Sequence, residues 1–408
     1  MESGSAMKHC KLILAAALGL AGCTPSVNTA TAPNGSTLDL VVLGTTDVHG
    51  HLLGWDYFAN APQNREGLSR AATVIDSIRA ANPGRVLVFD AGDLLQGTPL
   101  TYVAAKVTPQ KPHPVIAAMN AVGYDAAAIG NHEFNYGIEF LDSSIAAASF
   151  PFLSANTRRL DGRPQYKGWT IIERAGVRIG VIGLTTPGVV VWDADKVKGR
   201  LVLDDLVATA KRVVPEVRAA GAEVVIVLAH SGLSGESSYD DTKGVPPEDV
   251  SGRVAREVPG IDLLIYGHSH RSDSGTVIGK TLVIQPKNWA TSVSVANLSL
   301  ARAKGKWGVV SRRGSLVPVA DRRESPAVLA ATGQGHALAK QYANAVIGTT
   351  ATIWKSDSAR LREMMGRQVR QMVHNALDAF ARAVQVRADS GRSRQGAVVP
   401  ALVRGGRP

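Results

Sequence analysis

Cysteine is almost absent from this chain. Two in 408 residues, Cys10 and Cys23, exclude a disulfide scaffold and a Cys-rich zinc module. Long apolar runs are missing as well. The longest, Leu12–Gly22, is too short to span a bilayer, which excludes a polytopic membrane protein. No internal repeat occurs. A wholly disordered chain is excluded by composition: 45% hydrophobic residues supply one or two packed cores. The net charge of +11 suggests an acidic partner, such as nucleic acid or a phosphate compound. Its distribution changes that reading. Residues 360–408 hold ten Arg, no Lys and three acids, a net of +7, leaving +4 for the other 359 residues. The body is nearly balanced, so net charge is a weak clue to its partner.

The first segment reads as an address. Lys8 and Lys11 form a positive region, Leu12–Leu20 an apolar one, and Ala21-Gly22 precede Cys23. This is the pattern of a secretory signal, predicted over residues 1–22. Leu20-Ala21-Gly22-Cys23 resembles a bacterial lipobox, in which the Cys becomes the lipidated first residue. Met7 is an alternative start. Acyl chains on Cys23 would hold the protein at a membrane without a spanning helix. The expected location is therefore an anchored lipoprotein facing the periplasm or cell exterior. Residues 23–37 are small and polar, a flexible tether.

From residue 38 the pattern is α/β. Strand-length apolar runs recur at Leu38–Leu43, Val86–Phe89, Ala126–Ile129, Val177–Ile182, Val224–Leu228, Leu263–Tyr266 and Thr281–Ile284. Helical stretches lie between several of them, at Leu68–Ala81, Pro114–Val122, Ile138–Ala148 and Leu206–Ala219. Such alternation predicts sheets covered by helices. Hairpins around Ala175-Gly176 and Lys304-Gly305 make the sheets mixed.

The chemistry lies in the segments just past the strands. Asp47-Val48-His49-Gly50-His51 comes after the first, Asp90-Ala91-Gly92-Asp93 after the second, and Gly130-Asn131-His132-Glu133 after the third. Later strands end at His230-Ser231-Gly232 and Gly267-His268-Ser269-His270. Ligands in open α/β sheets gather outside the carboxyl ends of strands. Taken singly, each block is a turn, a cap or a satisfied buried imidazole. Together they place five of the ten histidines at strand ends. Carboxylate and imidazole suit zinc, manganese, iron or cobalt, and the absence of Cys argues against a closed structural zinc site. Asp-x-His and His-x-His on extended backbone direct both side chains to one side. Gly44, Gly92, Gly130 and Gly267 are expected where backbone turns or packs tightly. His51 is a candidate for the pocket mouth; His113, His336 and His374 are expected to be structural. Two divalent ions could clamp a phosphate and activate a water between them.

The blocks TTDVHGH, AGDLLQGTP, GNHEFNYG, VLAHSGL and YGHSH, in this order, resemble the calcineurin-like metallophosphoesterases. More narrowly they resemble the secreted 5′-nucleotidase family over roughly residues 38–350. HPVIAAMNAVGYD and WDADKVKGRLVLDDL are similar to its 2′,3′-cyclic-nucleotide 2′-phosphodiesterase/3′-nucleotidase branch. The resemblance implies a sandwich of mixed β-sheets flanked by helices. It implies a catalytic domain over 38–322, a linker helix over 323–345 and a second domain from 346. Asp47, His49 and His270 would bind one metal and Asn131, His230 and His268 the other, with Asp93 bridging. His132 would be no ligand but would act on the leaving group, so that the catalytic set is His132, Asn131 and Asn135. A metal-activated water would attack phosphorus of a nucleotide or cyclic nucleotide in line. Where 5′-nucleotidases have an Asp paired with the catalytic His, this chain has Asn135, which can orient an imidazole but carries no charge.

The second domain departs from the family. No Asn-Gly-Gly-x-Arg loop occurs, and beyond Trp354 the only aromatic is Phe380, so no base-binding residue is assigned. Residues 346–408 read either as an incomplete domain ending in an amphipathic helix, or as an Arg-rich tail out of frame from about residue 363. Specific nucleic-acid binding is not expected, since the Arg cluster lacks interleaved aromatics. Two alternatives stand beside the cyclic-nucleotide reading: a 5′-nucleotidase or UDP-sugar hydrolase, and a non-catalytic truncated surface lipoprotein.

Overall fold

The computed structural model describes Met1 and residues 32–345. The expected signal segment, Cys23 and everything from residue 346 lie outside the described residues. No helix among the described residues is long and apolar enough to cross a membrane.

Two six-stranded sheets form the centre. The first runs Lys306–Pro318, Ser292–Ala303, Thr37–Thr45, Val86–Asp90, Ala126–Ala128, Phe152–Leu153 across the sheet. Its last four strands are parallel, and the Ser292–Ala303/Lys306–Pro318 hairpin adds antiparallel to Thr37–Thr45. The second runs Asp273–Ile278, Thr281–Gln285, Leu263–Tyr266, Val224–His230, Val177–Thr185, Trp169–Arg174. Its four central strands are parallel and both edge strands antiparallel.

The period of two along each strand builds the layers. Leu40, Val42, Leu87 and Phe89 point to one core, against Ile179, Val181, Ile226, Leu228 and Ile265 of the second sheet. Val41, Leu43 and Val88 point the other way, onto the helices Leu68–Ala81 and Pro114–Val122. On the far side, Ile182, Val225, Val227 and Leu264 meet Leu206, Val213 and Val217 of the helix Leu206–Ala219. The result is four layers, helix–sheet–sheet–helix. Each fully buried Val, Leu or Ile contributes about 1.5–3 kcal/mol. The near-continuous apolar runs in the sequence are those of strands buried on both faces.

Helix ends follow local chemistry. Pro114 opens its helix at a position that needs no N–H, and Gly123 closes it in the left-handed conformation, φ 75°. Asp205 caps Leu206–Ala219 by accepting from the Ala208 N–H at 2.7 Å. The helix Pro326–Ala343 lays Val328 and Ala339 into the same core as Leu68–Ala81. Short strands at Trp55–Asp56, Ala61–Pro62, Thr157–Arg159 and Leu201–Leu203 escape the sequence pattern, because two or three residues hold too little periodicity to detect.

Because Thr37–Thr45, Val86–Asp90 and Ala126–Ala128 are parallel neighbours, their carboxyl ends share one edge. Val224–His230 and Leu263–Tyr266 are parallel neighbours in the facing sheet. Loops from both sheets meet at this edge.

Candidate metal centre

The loop after Thr45 is held by the loop after Asp90. The Asp47 N–H donates to the Gly92 carbonyl at 2.8 Å and the His49 N–H to the Asp93 carbonyl at 2.9 Å. Here the backbone departs from the extended form expected of Asp47-x-His49 and His268-x-His270. Asp47, His49, Asp93, His268 and His270 all have positive φ, between 48° and 73°. They are five of the eleven non-glycine residues with positive φ among the described residues. That conformation is unfavourable for residues with a Cβ and persists where tertiary bonds over-determine it. Side chains converge by left-handed turns rather than by strand alternation.

Close approach explains two glycines. A Cβ on Gly267 would collide with the Thr46 hydroxyl and stand 2.8 Å from Asp47 Oδ2. A Cβ on Gly92, where φ is 97°, would stand 2.7 Å from the Gly130 nitrogen and 2.8 Å from His230 Nδ1.

Donor atoms gather in overlapping sets. Asp47, His49 and His270 form one, Asp93, His230 and His268 another, and His49, Asp93 and His132 a third that shares Asp93. His230 Nδ1–H donates to the Ala91 carbonyl at 2.8 Å, and its Nε2 faces Asp93 Oδ2 at 3.0 Å and Asn131 Oδ1 at 3.1 Å. His49 Nδ1–H donates to the Gln96 carbonyl at 2.9 Å, which turns its Nε2 inward. His268 meets Glu248 Oε1 through Nε2 at 2.7 Å, and its own N–H donates to Asp47. Carbonyls and carboxylates on the outer nitrogens fix each ring, the arrangement usual around metal-binding imidazoles.

The electrostatics agree with a cation at the centre. Burial pushes His49 down to about 4, against the pull of Asp93. Burial would lower His230 too, but the Asp93 carboxylate beside it carries it up to about 10. Asp93 is opposed by burial and held well below the usual carboxylate range by His230 and His132. Asp93 therefore keeps its negative charge in a buried place, balanced by a proton on His230 whose position a cation can take. Oxygen and imidazole donors in two sets, with Asp93 Oδ2 3.0 Å from His230 of one and 3.7 Å from His49 of the other, fit two divalent ions.

All seven expected ligand residues come to this place. His132 lies at its rim: its Nε2 is 4.0 Å from Asp93 Oδ2, its ring centroid 4.9 Å from that of His49, and about a third of its side chain is exposed. Its Nδ1–H donates to Asn135 Oδ1 at 2.6 Å. His51 does not join the sets. It pairs with Glu66 at 3.0 Å and stacks on Trp289. His113 is buried and His336 packs between Trp55 and Tyr57, as structural residues do.

Two carboxylates of the site have no assignment from sequence. Glu133 is fully buried and accepts four backbone N–H groups, from Asp93, Leu94, Leu95 and Gly130, at 2.6–3.0 Å. It ties two metal-site loops together, and its place in the His-Glu pair was the only signal for it. Glu248 orients His268 from 20 residues away and had no local signal. Beside His132 opens a cleft of about 350 Å3, lined by Tyr57, Phe58, Gln96, Tyr102, Tyr136 and Asn135 among others.

Residues 40–272 match the calcineurin-like phosphoesterase family. The chain belongs to that family. It is 34% identical over 361 residues to a 2′,3′-cyclic-nucleotide 2′-phosphodiesterase/3′-nucleotidase of Yersinia enterocolitica, covering 80% of this chain and 54% of that one. It is 32% identical over 355 residues to the trifunctional nucleotide phosphoesterase YfkN of Bacillus subtilis, covering 79% of this chain and 24% of that one. A crystal structure of calcineurin-like phosphoesterase YfkN from Bacillus subtilis superposes with a TM-score of 0.70 at 31% identity, over 76% of this chain and all of that one. The chain spans about half or less of the length of these curated relatives.

Proposed function

We propose that this chain hydrolyses phosphoesters of nucleotides with the help of two divalent ions, and that its preferred substrates are 2′,3′-cyclic nucleotides and 3′-nucleotides. The observation that carries the reading is the convergence of five strand ends on two donor sets, Asp47/His49/His270 and Asp93/His230/His268, with Asp93 Oδ2 3.7 Å from His49 Nε2. Asp47, His49 and His270 would hold one ion, Asn131, His230 and His268 the other, and Asp93 both. When bound, the ions supply Lewis acidity toward the phosphoryl oxygens and lower the pKa of water.

The chain's own residues do the rest. Glu133, through four backbone N–H groups, keeps the Asp93 and Asn131 loops in register. His132 stands at the rim with Nε2 toward the site, where it delivers a proton to the departing ribose oxygen. The aromatic cleft beside it offers apolar faces for the nucleoside. The relatives named for 2′,3′-cyclic-nucleotide 2′-phosphodiesterase/3′-nucleotidase activity support this choice among nucleotide esters. Turnover of 2′,3′-cyclic AMP, 3′-AMP and 5′-AMP by metal-loaded protein tests it. Predominant cleavage of 5′-AMP would replace it with a 5′-nucleotidase reading.

Export and lipidation at Cys23 complete the proposal, on the strength of Leu20-Ala21-Gly22-Cys23. Labelled palmitate should enter the membrane-bound protein and be lost in Cys23→Ser.

A further inference from the structure

His132 does not end its hydrogen-bond chain at Asn135. The Asn135 amide nitrogen donates to Asp193 Oδ2 at 2.8 Å, and Asp193 Oδ1 accepts from the Lys196 ammonium at 2.8 Å. Asp193 is 3% exposed. Its backbone is fixed between two short helices, Val189–Trp192 and Ala194–Val197. Its N–H donates to Val189, and its carbonyl accepts from Lys196 and Val197. Asn135 is fixed as well, closing the helical turn His132–Phe134.

The chemistry of these groups allows one orientation. An ionised carboxylate only accepts, so the amide of Asn135 has to present its NH2 to Asp193. Its oxygen is then the end that faces His132, and that oxygen can only accept. The His132 hydrogen facing it therefore sits on Nδ1, and the nitrogen that exchanges a proton with substrate is Nε2. We propose that Asp193 is a positioning residue for His132, acting through Asn135, in the hydrolysis proposed for the metal centre. A carboxylate thus stands behind the histidine, beyond Asn135 and 58 positions along the sequence from it.

The arrangement is reciprocal. In Asp193→Asn a single amide oxygen faces two donors, the Lys196 ammonium and the Asn135 amide. The charged donor takes it. Asn135 then turns its oxygen toward residue 193 and its NH2 toward His132, which moves the imidazole hydrogen to Nε2 and leaves no acceptor for the second hydrogen, on Nδ1, that an imidazole must carry to release a proton from Nε2. In Asn135→Asp two carboxylates face each other across the 2.8 Å contact. In the double variant Asn135→Asp/Asp193→Asn every partner is restored: the new carboxylate accepts from His132 and from the new amide, whose oxygen accepts from Lys196.

The test uses the full metal-loaded chain with 3′-AMP, metal content being measured for each variant. Each single substitution should lower kcat by about 10- to 100-fold, the same range as for groups that orient metal-bound imidazoles. The double variant should return to within a few-fold of the parent. A purely structural role for Asp193 predicts instead that losses accumulate. Singles without effect, or a double variant no better than the worse single, would overturn the proposal. Imidazole nitrogen chemical shifts of neutral His132 give a second readout: hydrogen on Nδ1 in the parent and on Nε2 in Asp193→Asn. Hydrogen on Nε2 in the parent would also overturn it. A parent that shows the Nδ1 hydrogen but cleaves no nucleotide would defeat the functional reading and leave the positioning geometry standing.

Discussion

His49 Nε2 and His270 Nε2 stand 3.1 Å apart, on strand-end loops of two different sheets. The His49 Nδ1–H is committed to the Gln96 carbonyl, so the lone pair of neutral His49 points at its partner. Asp47 Oδ1 lies 3.4 Å from His270 Nε2, which adds a third donor. A hydrogen on His270 Nε2 can bridge these atoms, and a cation can take its place.

Chelation should therefore abolish activity and lower Tm together. A ligand at a hundredfold its Kd stabilises the fold by about 2.7 kcal/mol. Thermal melts with EDTA and after addition of manganese or zinc check this. Full activity in metal-free protein would contradict the proposed chemistry.

His132→Ala should separate catalysis from metal binding, because His132 sits at the rim and not among the proposed ligands. Turnover should fall by about a hundredfold to ten-thousandfold, the usual worth of a positioned acid. Metal content by elemental analysis should stay near that of the parent.

Glu133→Gln tests the clamp between the loops. A carboxylate accepts from all four N–H groups; a carboxamide turns an NH2 toward some of them. Each unmatched buried donor costs about 1–3 kcal/mol. The expected outcome is a clear loss of stability in urea and weaker metal retention.

The aromatic cleft should set KM more than kcat. Phe58 is 73% exposed at its edge, so its removal should not disturb the core. Base–aromatic stacking contributes about 1–3 kcal/mol. Phe58→Ala should raise KM for nucleotides by roughly fivefold or more, 1 kcal/mol being about a factor of five. Ribose 3-phosphate, which has no base, should be cleaved equally by parent and variant.

His113 gives the fold an acid-sensitive point. Burial lowers its imidazole to about 4, only partly offset by a bond to the Thr101 carbonyl. Unfolded chains take up that proton near pH ~6.5. The contribution is complete above that pH and lost as pH falls toward 4, where the folded form also protonates. The span corresponds to about 3 kcal/mol. Urea denaturation of His113→Leu should show a flatter fall in stability than the parent across that pH window.

Much of this was legible locally. The helices Leu68–Ala81, Pro114–Val122 and Leu206–Ala219 begin and end where the sequence puts them, since apolar period, Pro and capping Asp act within a few residues. The gathering of the seven proposed ligand residues was legible too, because each lies at or just past the end of a strand. Their backbone was not: extended Asp-x-His was expected, and left-handed turns are found. Those turns are held by bonds to loops that are distant along the chain, such as Asp47 to Gly92.

Local sequence dictates which strands form, that they are buried on both faces, and which side chains leave their carboxyl ends. Those properties depend on alternation and turn chemistry over a few residues. Strand order is a product of long-range packing, because pairing Thr37–Thr45 with Ser292–Ala303 depends on contacts hundreds of residues apart. The same packing sets Glu248 behind His268 and Asp193 behind Asn135. A buried carboxylate finds its donor in space, and nothing in its own neighbourhood of sequence announces which donor that will be.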